Sequence, residues 1–224
     1  MRSDAGNAPA TWDGLAARYG AQESLEARAV AASLSLADPG PADRLVDLGT
    51  GTGVVLRALA GRPVRPLTAV GVDRSPGMLA RVGSLPAGWR TVQADATCVP
   101  LGDGVADVVT CAYLLHLLEP ADRASVLCEA ARLLAPAPDS RLVVTTVWAE
   151  PATPGGAAVN ATLRALAWSR PRAWGGLRPL DPTPELAAAG FTPTHKVVLP
   201  RGGYPSLVIR ARPSTSRPAP ASQR

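Results

Sequence analysis

Aromatic residues are scarce in this chain, since Phe, Trp and Tyr together make up 4% of its 224 residues. Long apolar runs are missing as well. A membrane-spanning helix needs about 20 apolar residues, and the longest candidate, residues 108–118, is interrupted by Thr110, Tyr113 and His116. The first ten residues contain no apolar stretch of the kind found in secretory signals. We therefore expect a cytoplasmic protein without a membrane span.

Cysteine and histidine are also rare. Cys98, Cys111 and Cys128 never form a C-x-x-C pair, and such an odd, scattered set indicates reduced thiols rather than a disulfide framework. The two histidines, His116 and His195, are far apart in the sequence. A zinc site requires a cluster of ligands, so the sequence predicts no metal site.

Lysine occurs once, as Lys196, and the formal net charge of +5 comes almost entirely from arginine. Three of these charges, Arg212, Arg217 and Arg224, lie in the Pro- and Ser-rich end of the chain, so +2 remain for the rest. A nucleic-acid footprint is a clustered basic patch, preferably with aromatic residues between the charges. The sequence has no such patch and disfavours a nucleic-acid partner.

From residue 44 onward, short apolar segments alternate with helical patterns. The predicted strands are Arg44–Leu48, Leu67–Val72, Trp89–Gln93, Val105–Thr110, Arg141–Val147, Thr194–Leu199 and Ser206–Ala211. The predicted helices are Thr11–Leu36, Val54–Ala60, Pro76–Val82, Pro120–Leu134, Val159–Trp168 and Glu185–Ala189. Such alternation predicts an α/β protein whose mostly parallel sheet has helices on both faces. We expect a flexible leader (1–10), a single domain (11–211) and a disordered tail (212–224).

The most informative segment is VDLGTGTG, residues 46–53, in which a strand runs into a glycine-rich turn that opens a helix. The dinucleotide fingerprint G-x-G-x-x-G fails here, because its last position would be Val54 or Leu56. This mismatch disfavours a pyrophosphate ligand. The pattern that remains is D-x-G-x-G-x-G, and its acidic residue, Asp47, can hold an ammonium group directly or through water.

Two further acids follow the next two strands. Asp73 lies twenty residues beyond Gly53, where a carboxylate can accept hydrogen bonds from both ribose hydroxyls. Asp95 follows the third strand and can accept a hydrogen bond from an adenine amino group. One such Asp could be an ordinary helix cap. Acids at three successive strand ends indicate a nucleoside that carries an amino acid tail.

These residues resemble the class I S-adenosylmethionine-dependent methyltransferases, particularly the small-molecule branch with the ubiquinone and menaquinone C-methyltransferases. The resemblance implies a Rossmann-like three-layer sandwich with a seven-stranded, mostly parallel sheet whose last strand is antiparallel. It also implies S-adenosylmethionine as cofactor and S-adenosylhomocysteine as product. The contacts it implies in the first half of the chain involve Asp47, Gly49, Thr50, Gly51, Gly53, Asp73, Arg74, Met78, Asp95, Ala96, Cys111 and Ala112.

Residues 12–19 are similar to the W-D-x-x-A-x-x-Y opening of many such enzymes, whose amino-terminal helix (here 11–36) caps the pocket. The resemblance implies that Tyr19 lies near the cofactor's carboxylate, although packing of this helix on the sheet explains the same pattern. Substrate specificity is expected from this helix and from a variable region at 148–190. Apolar aromatic residues of that region, such as Trp148, would suit a hydrophobic acceptor or simply close the core.

One histidine, His116, stands where the family often has two after the fourth strand. It could deprotonate the acceptor if its pKa lies near neutrality, or it could be a buried structural residue. The sequence predicts direct methyl transfer to O, N or C of a small hydrophobic acceptor by a monomer or homodimer. An RNA or protein methyltransferase and a cofactor-binding protein that does not methylate remain alternatives. The segment Thr110–Tyr113 lacks the [DNS]-P-P-[YFW] loop of base-methylating enzymes.

Overall fold

The computed structural model describes Asp13, residues 20–148, single positions between 155 and 165, and residues 178–200 and 204–214. In chain order, its elements are α1 (Gly20–Ala37), β1 (Arg44–Leu48), α2 (Val54–Ala60), β2 (Thr68–Asp73), α3 (Pro76–Leu79), β3 (Arg90–Gln93), β4 (Val108–Ala112), a 3-10 helix (Leu115–Leu117), α4 (Pro120–Leu133), β5 (Arg141–Val147), α5 (Thr183–Ala188), β6 (Phe191–Leu199) and β7 (Ser206–Pro213).

The strands form one seven-stranded sheet in the order β3-β2-β1-β4-β5-β7-β6. Every neighbouring pair is parallel except those that involve β7, which runs antiparallel to both β5 and β6. The predicted fold, a mostly parallel sheet with its last strand reversed and helices on both faces, is confirmed. A hydrophobic cluster lies on each side of the sheet, one packed around α4 and the other around α1 and α2.

Local sequence explains where these elements lie. All seven residues of β5 are buried, as expected of an apolar strand covered by helices on both faces. Helix α2 starts after Gly53, whose φ of 83° few other residues tolerate. Helix α3 starts with Pro76, and the Ser75 side chain accepts a hydrogen bond from the Met78 backbone N–H at 3.1 Å.

Strand β4 begins three residues later than predicted, at Val108 instead of Val105, and ends two residues later. Ala106 is paired elsewhere, because its N–H donates to Leu133 and its carbonyl accepts from Ala135 at the end of α4. Asp107 is held by the side chain and backbone N–H of Arg44. Apolar pattern alone could not reveal these partners, which lie tens of residues away in the chain.

The ends of other elements also differ. Strand β7 continues through Pro213, which pairs with Phe191, so the predicted tail boundary at Arg212 is wrong. Strand β6 begins at Phe191 and not at the predicted Thr194, because Pro193 is tolerated on an edge strand. Helix α3 ends at Leu79, three residues before the predicted Val82. The leader, most of 148–177, and residues 215–224 lie outside the described residues. Within the described part, no helix is long and apolar enough to cross a membrane.

Candidate functional site

The carboxyl ends of β1, β2, β3 and β4 meet at one edge of the sheet, next to a cavity of about 230 Å³. The strand order reverses between β1 and β4, and open α/β sheets bind ligands at such a switch point. A second cavity of about 30 Å³ shares part of its lining with the larger one. The second cavity lies between α1, the glycine turn (residues 49–53) and the end of β4.

The glycine turn supplies the floor of both cavities. Gly49, Gly51 and Gly53 all have positive φ angles, of 71°, 55° and 83°. A Cβ on Gly51 would meet no atom within 4 Å, whereas a Cβ on Gly53 would lie 2.8 Å from Cγ1 of Val82. Gly51 therefore faces open space at the cavity, and Gly53 is required for packing. Gly49 and Gly51 line both cavities, and Thr50 lines the smaller one.

Asp73, the last residue of β2, is anchored at the cavity by two backbone groups. Its Oδ2 accepts a hydrogen bond from the Gly51 N–H and its Oδ1 accepts one from the Ser75 N–H, both at 2.9 Å. Burial raises the pKa of Asp73 above its ordinary value, and these two N–H groups oppose that rise. Each oxygen keeps a lone pair for a ligand hydroxyl.

The segment after β3 forms the opposite wall. Oδ1 of Asp95 accepts hydrogen bonds from the N–H and the hydroxyl of Thr97, at 2.9 and 2.7 Å. Its Oδ2 lies 3.9 Å from Nη1 of Arg74. These residues line the larger cavity together with Met78 and Ala96.

Asp47 is buried at the smaller cavity. Its Oδ1 accepts a hydrogen bond from the Thr110 hydroxyl at 2.7 Å, but its Oδ2 has no hydrogen-bond partner. Burial raises the pKa of Asp47 to about 6. A buried oxygen without a partner requires an explanation, and a cation bound in this cavity would supply the missing partner.

Of Cys111 and Ala112, which the resemblance places beside the cofactor, the structure places only Ala112 at the cavities. Cys111 is buried in the core cluster and burial raises the pKa of its thiol, whereas Ala112 and Tyr113 line both cavities. Tyr113 has a φ of 57°, its N–H donates to the Thr145 carbonyl at 2.8 Å, and its hydroxyl is hydrogen-bonded to Ser206 at 2.8 Å. Sequence reasoning missed Tyr113 as a site residue.

His116 is buried and lines neither of these cavities. Burial lowers its pKa to about 3, its Nδ1 has no hydrogen-bond partner, and its ring lies edge-on to Tyr113 with 5.9 Å between ring centroids. A histidine with so low a pKa stays neutral and is a weak base near neutral pH. This placement gives its predicted role as general base no support.

Tyr19 lies outside the described residues, but two other acids connect the amino-terminal segment to the site. The Asp13 carboxylate accepts hydrogen bonds from the Ser75 hydroxyl at 2.5 Å and from the Gly77 N–H at 2.9 Å. Glu23 of α1 accepts hydrogen bonds from the Thr52 hydroxyl at 2.8 Å and from Arg57 at 2.7 Å. The amino-terminal segment is thus bonded to the loops after both β1 and β2.

Glu26, one turn after Glu23 on α1, is buried and lines the smaller cavity beside Asp47. The sequence offered little to find it, because a helical acid is usually solvent-exposed. Among the described residues, no group of three metal-ligating side chains could hold a metal ion. The site therefore combines a larger cavity flanked by acids with a small acidic cavity, an arrangement suited to a nucleoside with a cationic tail.

The strand order and the reversed last strand are those of the Rossmann-like methyltransferase fold. Residues 45–137 match a family model described as a methyltransferase domain, and that range contains the described residues that line the larger cavity. In this range the chain is similar to known methyltransferases.

Several known proteins are similar to this chain in sequence or in structure. The demethylmenaquinone methyltransferase of Mycolicibacterium vanbaalenii is 33% identical over 152 residues, which are 64% of this chain and 61% of that protein. The chain thus spans less than two thirds of the length of this relative. The 1,6-didemethyltoxoflavin-N1-methyltransferase of Burkholderia thailandensis, solved with S-adenosylhomocysteine, has a TM-score of 0.60 at 18% identity, covering 87% of this chain and 80% of that one.

The [4+2]-cyclase SpnF also shares the fold, with a TM-score of 0.63 at 18% identity over 84% of this chain and 81% of that one. At this identity, the two structures establish the fold alone. Proteins with the same fold can therefore differ in chemistry, and the activity has to be argued from the site.

Proposed function

We propose that the protein binds S-adenosylmethionine and transfers its methyl group to O, N or C of a small hydrophobic acceptor. The observation that carries the proposal is the pair of joined cavities, with Asp73 at the larger and the unpartnered Oδ2 of Asp47 at the smaller. The two cavities suit the two parts of this cofactor, which are an uncharged nucleoside and an amino acid chain that ends in an ammonium and a carboxylate group.

The described residues fit the cofactor. Asp73 would hold the ribose hydroxyls, since both of its oxygens are oriented by backbone N–H groups. Asp47 would hold the ammonium group, whose charge compensates a carboxylate that burial alone disfavours. Gly51 leaves open space where a side chain would otherwise intrude. Met78 and Ala96 would lie beside the base.

When bound, the cofactor supplies an electrophilic methyl group. The chain's own residues bind, orient and exclude water. Leu114, Leu117 and Leu118 give the larger cavity an apolar wall, which keeps water from the reacting groups. The anchored carboxylates hold the ligand in one orientation, and alignment alone accounts for a large part of such rate enhancements. An acidic phenol or enolate acceptor needs no protein base, which is consistent with the burial of His116.

Two observations support the proposed acceptor class. The larger cavity is lined on one side by leucines and Val126, and Arg74 is the single basic residue of its lining within the described part of the chain. The relative from Mycolicibacterium vanbaalenii is a demethylmenaquinone methyltransferase. Together these observations favour a hydrophobic acceptor of quinone type over RNA, whose phosphates would require a basic surface.

Calorimetry with S-adenosylmethionine and S-adenosylhomocysteine tests the binding step. We expect micromolar affinity, and we expect Asp73→Ala to weaken it about 30- to 150-fold because charged hydrogen bonds to the ribose are lost. Asp139→Ala, at an exposed position before β5, is the matched control and should bind as the wild type does. Unchanged affinity in Asp73→Ala would remove this carboxylate from the site.

Incubation with methyl-labelled cofactor and demethylated quinones, RNA or cell extract tests the transfer step. Label in the quinone supports the proposal, and label in RNA or protein would replace the acceptor with one of those classes. Tight binding without transfer to any acceptor would instead indicate a cofactor-binding protein with another role, such as cyclisation.

A further inference from the structure

The two cavities share part of their lining. Four residues line both of them: Gly49, Gly51, Ala112 and Tyr113. Two are glycines and one is alanine, so Tyr113 is the only one of the four with a side chain larger than a methyl group. A ligand that occupies both cavities therefore lies next to Tyr113.

In S-adenosylmethionine, the atom that joins the nucleoside to the amino acid chain is the positively charged sulfur. If the nucleoside occupies the larger cavity and the amino acid the smaller, as proposed above, this sulfonium lies at the junction. The inference therefore rests on the proposed function. It concerns a feature that the proposed function leaves open, namely how the protein distinguishes the charged cofactor from its neutral product.

The Tyr113 side chain is held firmly at this position. Its hydroxyl is hydrogen-bonded to Ser206 at 2.8 Å, and the Ser206 hydroxyl donates to the Tyr204 carbonyl at 2.9 Å. The ring also contacts the rings of His116 and Tyr204 edge-on, with centroid distances of 5.9 and 6.4 Å. A ring fixed in this way loses little entropy when a ligand arrives.

The surroundings of the ring favour a cation. Among the described residues, the lining of the smaller cavity includes two buried acids, Glu26 and Asp47, and no Lys, Arg or His. Burial raises the pKa of Tyr113, so the ring stays neutral and keeps the electron-rich face that attracts cations. The phenol oxygen is already engaged by Ser206, so we expect the ring to be the part that meets a ligand.

We propose that Tyr113 is a specificity-determining residue that stabilises the sulfonium through a cation–π contact, so that the protein prefers S-adenosylmethionine to S-adenosylhomocysteine. The neutral thioether of the product keeps only the weaker sulfur–aromatic contact, and loss of the charge on methyl transfer therefore weakens the interaction. Tyr113 thereby favours release of the product after each turnover.

The ratio of the two affinities tests this proposal on the full chain, since both ligands carry the same nucleoside and the same ammonium group. Calorimetry with the wild type should show tighter binding of S-adenosylmethionine than of S-adenosylhomocysteine. Tyr113→Leu should reduce this preference about 3- to 30-fold, the range of a cation–π contact, by weakening S-adenosylmethionine alone. Tyr113→Phe keeps the ring and should preserve the ratio.

Two further measurements make the outcome decisive. Tyr204→Leu removes a neighbouring ring that lines neither cavity and should leave the ratio unchanged. If Tyr113→Leu does not fold, pentafluorophenylalanine at position 113 retains the shape of Phe while reversing the charge distribution of the ring, and it should lower the ratio relative to Tyr113→Phe.

The proposal is overturned if the wild type binds both ligands equally, or if Tyr113→Leu and the fluorinated ring change both affinities by the same factor. These outcomes leave the proposed function intact, because both ligands still bind. Failure of the wild type to bind either ligand would instead contradict the proposed function itself.

Discussion

At the scale of single residues, Asp47 shows how the site conflicts with stability. Its carboxylate is buried with one oxygen unpartnered, and burial raises its pKa to about 6. In the folded protein this group holds its proton up to about pH 6, whereas in the unfolded chain it loses the proton near its ordinary value of 3.8. The folded state therefore binds more protons between these values, and Asp47 makes the protein less stable as the pH rises through that range.

Asp47→Asn should consequently stabilise the ligand-free protein near neutral pH by about 1–3 kcal/mol, because the buried charge is gone. The gain should vanish near pH 4, where the wild-type carboxyl is itself protonated in the folded state. Urea unfolding of both proteins at several pH values measures the difference, and subtracting the curves removes the other titrating groups. A constant difference from pH 4 to pH 7 would contradict the argument. The same substitution should weaken S-adenosylhomocysteine binding, since the ammonium group loses its counter-ion.

At the scale of elements, the turn between β1 and α2 separates two uses of glycine. Gly53 starts α2 and is needed because a Cβ would lie 2.8 Å from Val82, whereas Gly51 faces the open cavity. Both have positive φ, so any side chain there is strained. Packing of the start of α2 against Val82 thus depends on Gly53, whereas space for the ligand depends on Gly51.

Gly53→Ala and Gly51→Ala form a matched pair. Gly53→Ala should destabilise the protein by about 2–4 kcal/mol, from backbone strain and from the contact with Val82. Gly51→Ala should cost about 1–2 kcal/mol from strain alone, but it should weaken S-adenosylhomocysteine binding, because its Cβ enters the space of the ligand. Thermal unfolding with and without the ligand checks both effects. Wild-type affinity in Gly51→Ala would contradict the proposal that the ligand occupies that space.

At the scale of the whole molecule, a hydrogen-bond network around Arg141 lies at the edge of the sheet opposite the proposed ligand site. Arg141 is the first residue of β5, far from the carboxyl ends of the strands, and its side chain is buried. It donates hydrogen bonds to the carbonyls of Ala37 and Asp38 and to the Asp43 carboxylate at 2.8 Å. One side chain therefore connects the end of α1, the start of β1 and β5.

Arg141→Met should lower the free energy of unfolding by about 2–4 kcal/mol, since the partly buried Asp43 and two carbonyls lose their donor. The more exposed Arg44, paired with Asp107 at 2.9 Å, provides the control, and Arg44→Met should cost about 1 kcal/mol or less. Neither variant should change the affinity for S-adenosylhomocysteine at a temperature where both are folded. Urea unfolding and calorimetry give the two readouts, and weakened binding in Arg141→Met would show that the two edges are coupled.

Most of the sheet follows from the sequence alone. Strands β1 and β5 and helix α2 agree residue by residue with the predicted bounds. Asp47, Gly51, Asp73 and Asp95, which the sequence predicts as cofactor contacts, line the two cavities. These features were predictable because they depend on local pattern, on a turn that requires glycine and on the rule that parallel strands end at one edge.

Which side chains form the cavity walls depends on contacts between segments that are distant in the chain. Strand β4 ends at Ala112, two residues later than predicted, and Tyr113 follows it with a φ of 57°; both residues line the cavities, while Cys111 lies in the core cluster. The strand begins later than predicted because Ala106 and Asp107 bond to the end of α4 and to Arg44, which are distant in the chain. The burial of His116 and Glu26 likewise depends on which elements cover them, and such contacts between remote segments have no local signature.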